Sequence, residues 1–153
     1  MRWLPETEVK MDRQSDKLTA LYCRIDKPFD TGKDTASAHA QIDGLSRYAK
    51  EHGLKNPMFF CDWGFSGETS DRPEYQRMLR KVEAGKIAAL IVLNLSRLTR
   101  SSIDARELIG KVFPRHGIVL HSVNEGGEIT DSLTWIQKGI IKLNRQGAER
   151  GRE

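Results

Sequence analysis

The feature that most constrains this chain is an alternation. Four apolar runs, "LTALYCRI" (18–25), "PMFFCDW" (57–63), "AALIVLNL" (88–95) and "GIVLHSV" (117–123), are separated by segments with helical apolar spacing. Short apolar runs bounded by polar and turn residues read as strands. The third run is continuous rather than alternating, as in a strand covered on both faces. Between the runs, Ala38, Ile42, Leu45 and Ala49 form one stripe, Tyr75, Met78, Leu79 and Val82 a second, and Ala105, Leu108, Ile109 and Val112 a third. Each stripe is the apolar face of one helix. Gly53, Gly85 and Gly117 follow the stripes where a left-handed C-terminal residue is wanted. Asp71, ahead of Pro73 and Glu74, reads as an N-cap with a capping box. Strands alternating with helices need crossover connections. The expected fold is therefore α/β: a mainly parallel four- to five-stranded sheet flanked by helices. In such sheets, sites form beyond the carboxyl ends of the strands. The residues after Tyr22, Asp62 and Leu95 share that rim.

A length of 153 residues suits one domain with a real core. No run approaches the roughly 20 apolar residues of a membrane span, and no signal peptide is visible, so a cytoplasmic location is expected. Residues 1–17 read as a flexible N-terminus in which Met11 is an alternative start. The net charge of +4 and pI near 9.2 suit an acidic partner or a merely solvated basic surface. Cys23 and Cys61 lie in apolar segments and read as buried free thiols of a reducing compartment, not as a disulfide. Two cysteines and the scattered His39, His52, His116 and His121 make no zinc pattern, and no metal or other cofactor is expected. No GxGxxG or GxxxxGK[ST] motif is present to support nucleotide binding. From Thr130 onward, Leu133, Ile136, Ile140, Leu143 and Gly147 form the seam of a last helix, which packs on the domain or on a partner helix.

The chemistry concentrates in arginines at the rim. Arg24 ends the first strand, Arg72 opens the second helix, and Arg97 and Arg100 follow the third strand in "LNLSRLTR". If that turn is helical, their spacing places both on one face. Guanidinium groups stay charged and present planar donor forks, so four converging from separate segments suit an anionic oxygen cluster such as a phosphate. The plainer use is pairing with surface acids such as Asp62, Glu68 or Glu74. The loop "DWGFSG" (62–67) adds Gly64 and Gly67 for tight geometry and the hydroxyl of Ser66.

These pieces together carry a family resemblance. The chain resembles the N-terminal catalytic domain of the serine site-specific recombinases of the resolvase/invertase superfamily, most nearly the large serine recombinases of mobile elements. The matching segments are "LYCRI" (21–25), "SAHAQ" (37–41), "YAKEHG" (48–53), "DWGFSGETSDRPEYQRML" (62–79), "AGKIAALIVLNLSRLTR" (84–100) and "FPRHGIVLHSVNEG" (113–126). They cover about residues 18–128 in order. The resemblance implies a serine hydroxyl that attacks a DNA phosphodiester, subunit rotation within a tetramer, and arginines that offset charge in the transition state. It assigns Arg24, Arg72, Arg97 and Arg100 to the arginine set, Ser66 to the loop serine and Gln41 to the first-helix glutamine. Ser96 stands where many members carry aspartate. DNA, through its phosphate backbone, is the implied partner, and a homodimer or tetramer formed through the C-terminal helix the implied assembly.

Two departures shape the expectation. The family pattern Tyr-x-Arg-x-Ser reads here Tyr22-Cys23-Arg24-Ile25-Asp26, so Asp26 occupies the nucleophile position. A carboxylate attacking a DNA diester would form a hydrolysable mixed anhydride, whereas an ion pair with the nearby arginines is immediately available. The second departure is at the end of the chain. Residues 129–153 read as a C-terminal helix truncated relative to the family, without a DNA-binding domain. Three readings follow: a recombination domain by descent, inactive alone; a remnant that dimerises or binds DNA weakly; and a small α/β domain for a phosphorylated ligand.

Overall fold

Leu18–Ile25 form strand β1, an interior strand of the sheet, in a computed structural model that describes residues 16–26 and 32–129. Helix α1 (Gly32–Glu51) leads to β2 (Pro57–Trp63), α2 (Pro73–Glu83) to β3 (Ile87–Val92), and a short helix α3 (Leu95–Leu98) follows. Next come α4 (Ser102–Glu107), a π-helical turn (Leu108–Val112) and α5 (Phe113–Arg115), ahead of β4 (Val119–Ser122), a 3₁₀ turn (Val123–Glu125) and β5 (Gly127–Ile129). The strands lie in the order β2-β1-β3-β4-β5. All neighbours are parallel except β5, which runs antiparallel to β4. The α/β class and the mainly parallel sheet match the sequence pattern.

The pleat of β1 divides the core. Ala20 and Tyr22 join Phe60, Tyr75, Met78, Leu90 and Leu108 on the face covered by α2 and the 102–115 helical run. Leu21 and Cys23 point the other way, to Leu45, Tyr48, Ala49 and Ile91 under α1. Residues alternate faces because side chains on a strand repeat every two positions. Each fully buried Leu, Ile or Phe contributes about 1.5–3 kcal/mol of transfer free energy. Strand β1 therefore anchors both layers and fixes where its carboxyl end emerges.

Several boundaries differ from expectation. β3 ends at Val92, three residues before its apolar run does, because Leu95 is buried as the first residue of α3 and not as a strand residue. β4 is confined to four residues, and β5 is too short to leave a period-2 signature. Asp71 does not cap α2. The N-cap is Arg72, in extended conformation and without a side-chain cap. The cap comes from β2: Asp62 accepts from the amides of Glu74 and Tyr75, both at 2.9 Å. The three predicted C-terminal glycines all hold positive φ, +65°, +72° and +67°. The N-terminal tail through residue 15 and the predicted helix beyond Thr130 lie outside the described residues.

Candidate functional site

Arg24 is the hub of the rim, and its backbone is held first. Strand β3 pairs with β1 only as far as Tyr22. At Arg24 the side-chain amide of Gln41 takes over: its Oε1 accepts from Arg24 N and its Nε2 donates to Arg24 O, both at 3.1 Å. Gln41 is 1% exposed. Arg97 Nη1 also donates to Arg24 O, at 3.0 Å. Gln41 therefore positions Arg24 rather than presenting a free amide to a ligand.

The Arg24 guanidinium is completely buried. It donates to the carbonyls of Arg97 (3.0 Å), Ser96 (2.6 Å) and Phe65 (3.1 Å), and to the Asp26 carboxylate. The loop after β2 packs directly on it. A Cβ at Gly67 would lie 2.7 Å from Arg24 Nη2, so any side chain there would have to displace the guanidinium from its carbonyl acceptors. The loop is fastened by Gly64 N and Phe65 N donating to Ile25 O, and by Arg100 N donating to Gly67 O. Burial pulls the Arg24 pKa down, the Asp26 carboxylate pushes it back, and Arg100 and Arg72 depress it as like charges.

Asp26 is exposed and bridges two arginines. One oxygen takes Arg24 Nη1 and the other takes Arg100 Nη1 at 3.0 Å. Arg97 and Arg100 do not share a helical face. Thr99 is extended (φ −161°) and buried, so α3 ends between them. They still converge, Arg97 on the Arg24 carbonyl and Arg100 on Asp26. Ser66 spends its hydroxyl on its own loop, accepting from Glu68 N at 3.1 Å. Ser96 donates to Asn94 Oδ1 at 2.6 Å.

Arg72 belongs to a second, inner network. Its Nη1 donates to Tyr22 Oη (2.9 Å), and Tyr22 Oη donates to Asp62 Oδ2 (2.7 Å). Its Nε donates to Thr69 O (2.8 Å), and its plane lies 3.7 Å from the Tyr75 ring centroid. Burial raises the Tyr22 and Tyr75 phenols, Tyr75 to about 12, so both remain protonated donors. Buried Nη2 of Arg72 and Nε of Arg97 have no hydrogen-bond partner. Both atoms are shut off from solvent, so an anion would reach them only after the covering segments moved.

Sequence reasoning missed Tyr22, Asp62 and Glu125. Asp62 is 2% exposed, not a surface acid, and the cue was an acid inside the apolar run "FFCDW". Glu125 accepts from Leu95 N (2.7 Å) and Ser122 Oγ (2.6 Å), shaping the turn that carries Arg97. No local signal marks that tie. Glu74 pairs with Arg77, which is not one of the four arginines to which the plainer reading assigned it. No cluster of three or more His, Cys, Asp or Glu among the described residues could hold a metal ion. No helix among them is long and apolar enough to cross a membrane.

This arrangement sits on a fold seen before. A search of curated proteins finds no match. Among solved structures, the N-terminal catalytic domain of TP901-1 integrase is 26% identical with a TM-score of 0.65, covering 90% of this chain and 100% of that one. A resolvase family site-specific recombinase from Streptococcus pneumoniae is 19% identical with a TM-score of 0.62, covering 90% and 99%. The C-terminal catalytic domain of ISC1926 TnpA, an IS607-like serine recombinase, is 22% identical with a TM-score of 0.60, covering 80% and 79%. The last two likenesses speak to the fold alone. The family model described as the resolvase N-terminal domain matches residues 19–152. With nearly its whole length matched and its strand-end arginines gathered on that fold, the chain belongs to the resolvase N-terminal domain family.

Proposed function

We propose that this domain serves site-specific DNA recombination as a phosphate-gripping module that does not itself cut DNA. The observation that carries this reading is the Asp26 carboxylate paired with both Arg24 and Arg100. Position 26 holds no hydroxyl to attack a phosphodiester. Its carboxylate oxygens already accept from the guanidiniums that would otherwise bind the non-bridging oxygens. Arginine forks suit phosphate oxygens, and Arg100, with a side chain 42% exposed, presents its fork at the rim. Residues 18–128 are the catalytic-type unit in this reading, with Arg24, Arg72, Arg97 and Arg100 as the electrostatic set. Asp26 marks the nucleophile position, Gln41 positions Arg24, and Ser66 orders the loop. DNA binding is electrostatic and falls steeply with salt. Residues 129–153 supply self-association, with an intact recombinase or with a second copy.

The test is a nicked or bridging-phosphorothioate suicide duplex incubated with the protein and resolved under denaturing conditions. The wild-type chain is expected to give no covalent adduct. The same assay on a chimera joining this domain to a complete recombinase C-terminal region, with Asp26→Ser, is expected to give one. An adduct mapped to Asp26 in the wild-type chain overturns the reading.

A further inference from the structure

Cys23 and Cys61 are register partners on the adjacent parallel strands β1 and β2. Both thiols are free. Neighbouring strands lie about 4.7–4.9 Å apart. Directly opposed residues therefore fall inside the roughly 4.4–6.8 Å between Cα atoms that a disulfide spans. Both side chains lie on the α1 face: Cys23 is part of the cluster with Leu21, Leu45, Tyr48, Ala49 and Ile91, and Cys61 packs against it. Cys23 is fully buried, whereas Cys61 is half-buried, so a small reagent reaches the pair through Cys61. We propose that Cys23 and Cys61 form an oxidative modification site, a dithiol that peroxide-class oxidants close into a disulfide between β1 and β2.

The electrostatics give the order of events. The hydrogen bond from Cys23 lowers the Cys61 pKa, while that contact and burial raise Cys23. Cys61 is thus the sulfur that ionises and attacks first. Its thiolate attacks one peroxide oxygen. The S–O bond forms, the O–O bond breaks, and the departing oxygen leaves as water after taking a proton. Cys23 sulfur then attacks the Cys61 sulfenic acid, forming S–S and releasing a second water as the S–O bond breaks. Two thiols lose two electrons and two protons, and one peroxide becomes two waters. The Cβ atoms must come within about 3.5–4.5 Å for the bond to close, and an added dithiol reverses it by exchange. Each cysteine precedes a hub residue, Arg24 and Asp62, which are also register partners. Closing the dithiol draws those two positions together.

The experiment treats the full-length protein with hydrogen peroxide under native conditions and reads intact mass, alkylation by iodoacetamide, and peptide cross-links. The expected product has lost two hydrogens, resists alkylation at both positions, carries a 23–61 linked peptide, and is restored by dithiothreitol. Cys61→Ser and Cys61→Ala are each expected to abolish it and to leave Cys23 reduced. Three results overturn the proposal: sulfinic or sulfonic acid accumulating at Cys61 with Cys23 still alkylatable, linkage between chains, or two thiols that remain unreacted.

Discussion

The two arginine sites of this domain are built on opposite plans. Arg24 at the rim is held by backbone carbonyls, Phe65 from a loop and Ser96 and Arg97 from α3, and by one exposed carboxylate. Arg72 is held from inside, by Tyr22, by the Tyr75 ring, and through Tyr22 by Asp62. In the inner network one carboxylate serves three donors: a phenol and the first two free amides of α2. It ties strand to helix, so charge and fold are the same feature. At the rim the carboxylate ties only two guanidiniums and can be exchanged without touching the sheet. Binding properties can therefore change at position 26 while the fold stands.

The comparison breaks first at Asp62. Asp62→Ala leaves a buried phenol and two helix amides without an acceptor and is expected to destabilise the domain by about 3–5 kcal/mol. Urea midpoints measure this, and a loss under 1 kcal/mol, roughly that of a surface ion pair, would erase the contrast. Tyr22→Phe is the next probe. It removes the link between Arg72 and Asp62 but keeps both helix amides satisfied, so about 1–3 kcal/mol is expected. Asp26→Ala sharpens the other side. Its carboxylate is 38% exposed, and Arg24, although buried, keeps three carbonyl acceptors, so stability should move by about 1–2 kcal/mol, less than at Asp62. Affinity for a non-specific duplex should rise, and the slope of log K against log salt should steepen by about 1–2 as Arg24 and Arg100 are released. Anisotropy titrations at several salt concentrations decide it.

The smallest effect lies away from both sites. His121 Nδ1 meets Tyr48 Oη at 2.8 Å, and Glu128 and His52 also face the ring. Burial lowers the His121 pKa below its usual 6.5, with His52 adding to the shift and Glu128 opposing it. The unfolded chain then binds the proton first as pH falls, so stability is complete above about 6.5 and declines below it. His121→Gln should flatten that decline in melts taken across pH 5 to 7.5, within about 1 kcal/mol. An unchanged slope would assign the pH dependence to other groups.

The sequence disclosed strands more readily than their ends. β1 and β2 were legible to the residue because polar segments flank both runs. β3 was overextended because Leu93 and Leu95 continue an apolar run that the chain uses in a turn, where burial looks the same as in a strand. The arginines were legible one by one. Their division into an outer and an inner group was not, because it depends on Tyr22 and Asp62 meeting 40 residues apart. Gly67 reads in the sequence as a residue for tight loop geometry; its spatial role, leaving room for an Arg24 Nη2 that would lie 2.7 Å from a Cβ, is visible only once Arg24 is placed against it.

The amide of Gln41 has a further consequence. A primary amide offers one carbonyl and one N–H donor group, the same pair a peptide unit offers, and at Arg24 it meets the backbone in the way a neighbouring strand would. The sheet is in effect one residue longer than its strands, with the missing unit lent by a helix. An open backbone edge invites pairing with another chain, and here that edge is already closed at the residue where the arginine must stand still. Glutamate would fill the same volume with two acceptors and face the Arg24 carbonyl oxygen against oxygen. The alignment of the rim is thus written in the difference between an amide and an acid on α1, far along the sequence from the arginines it serves.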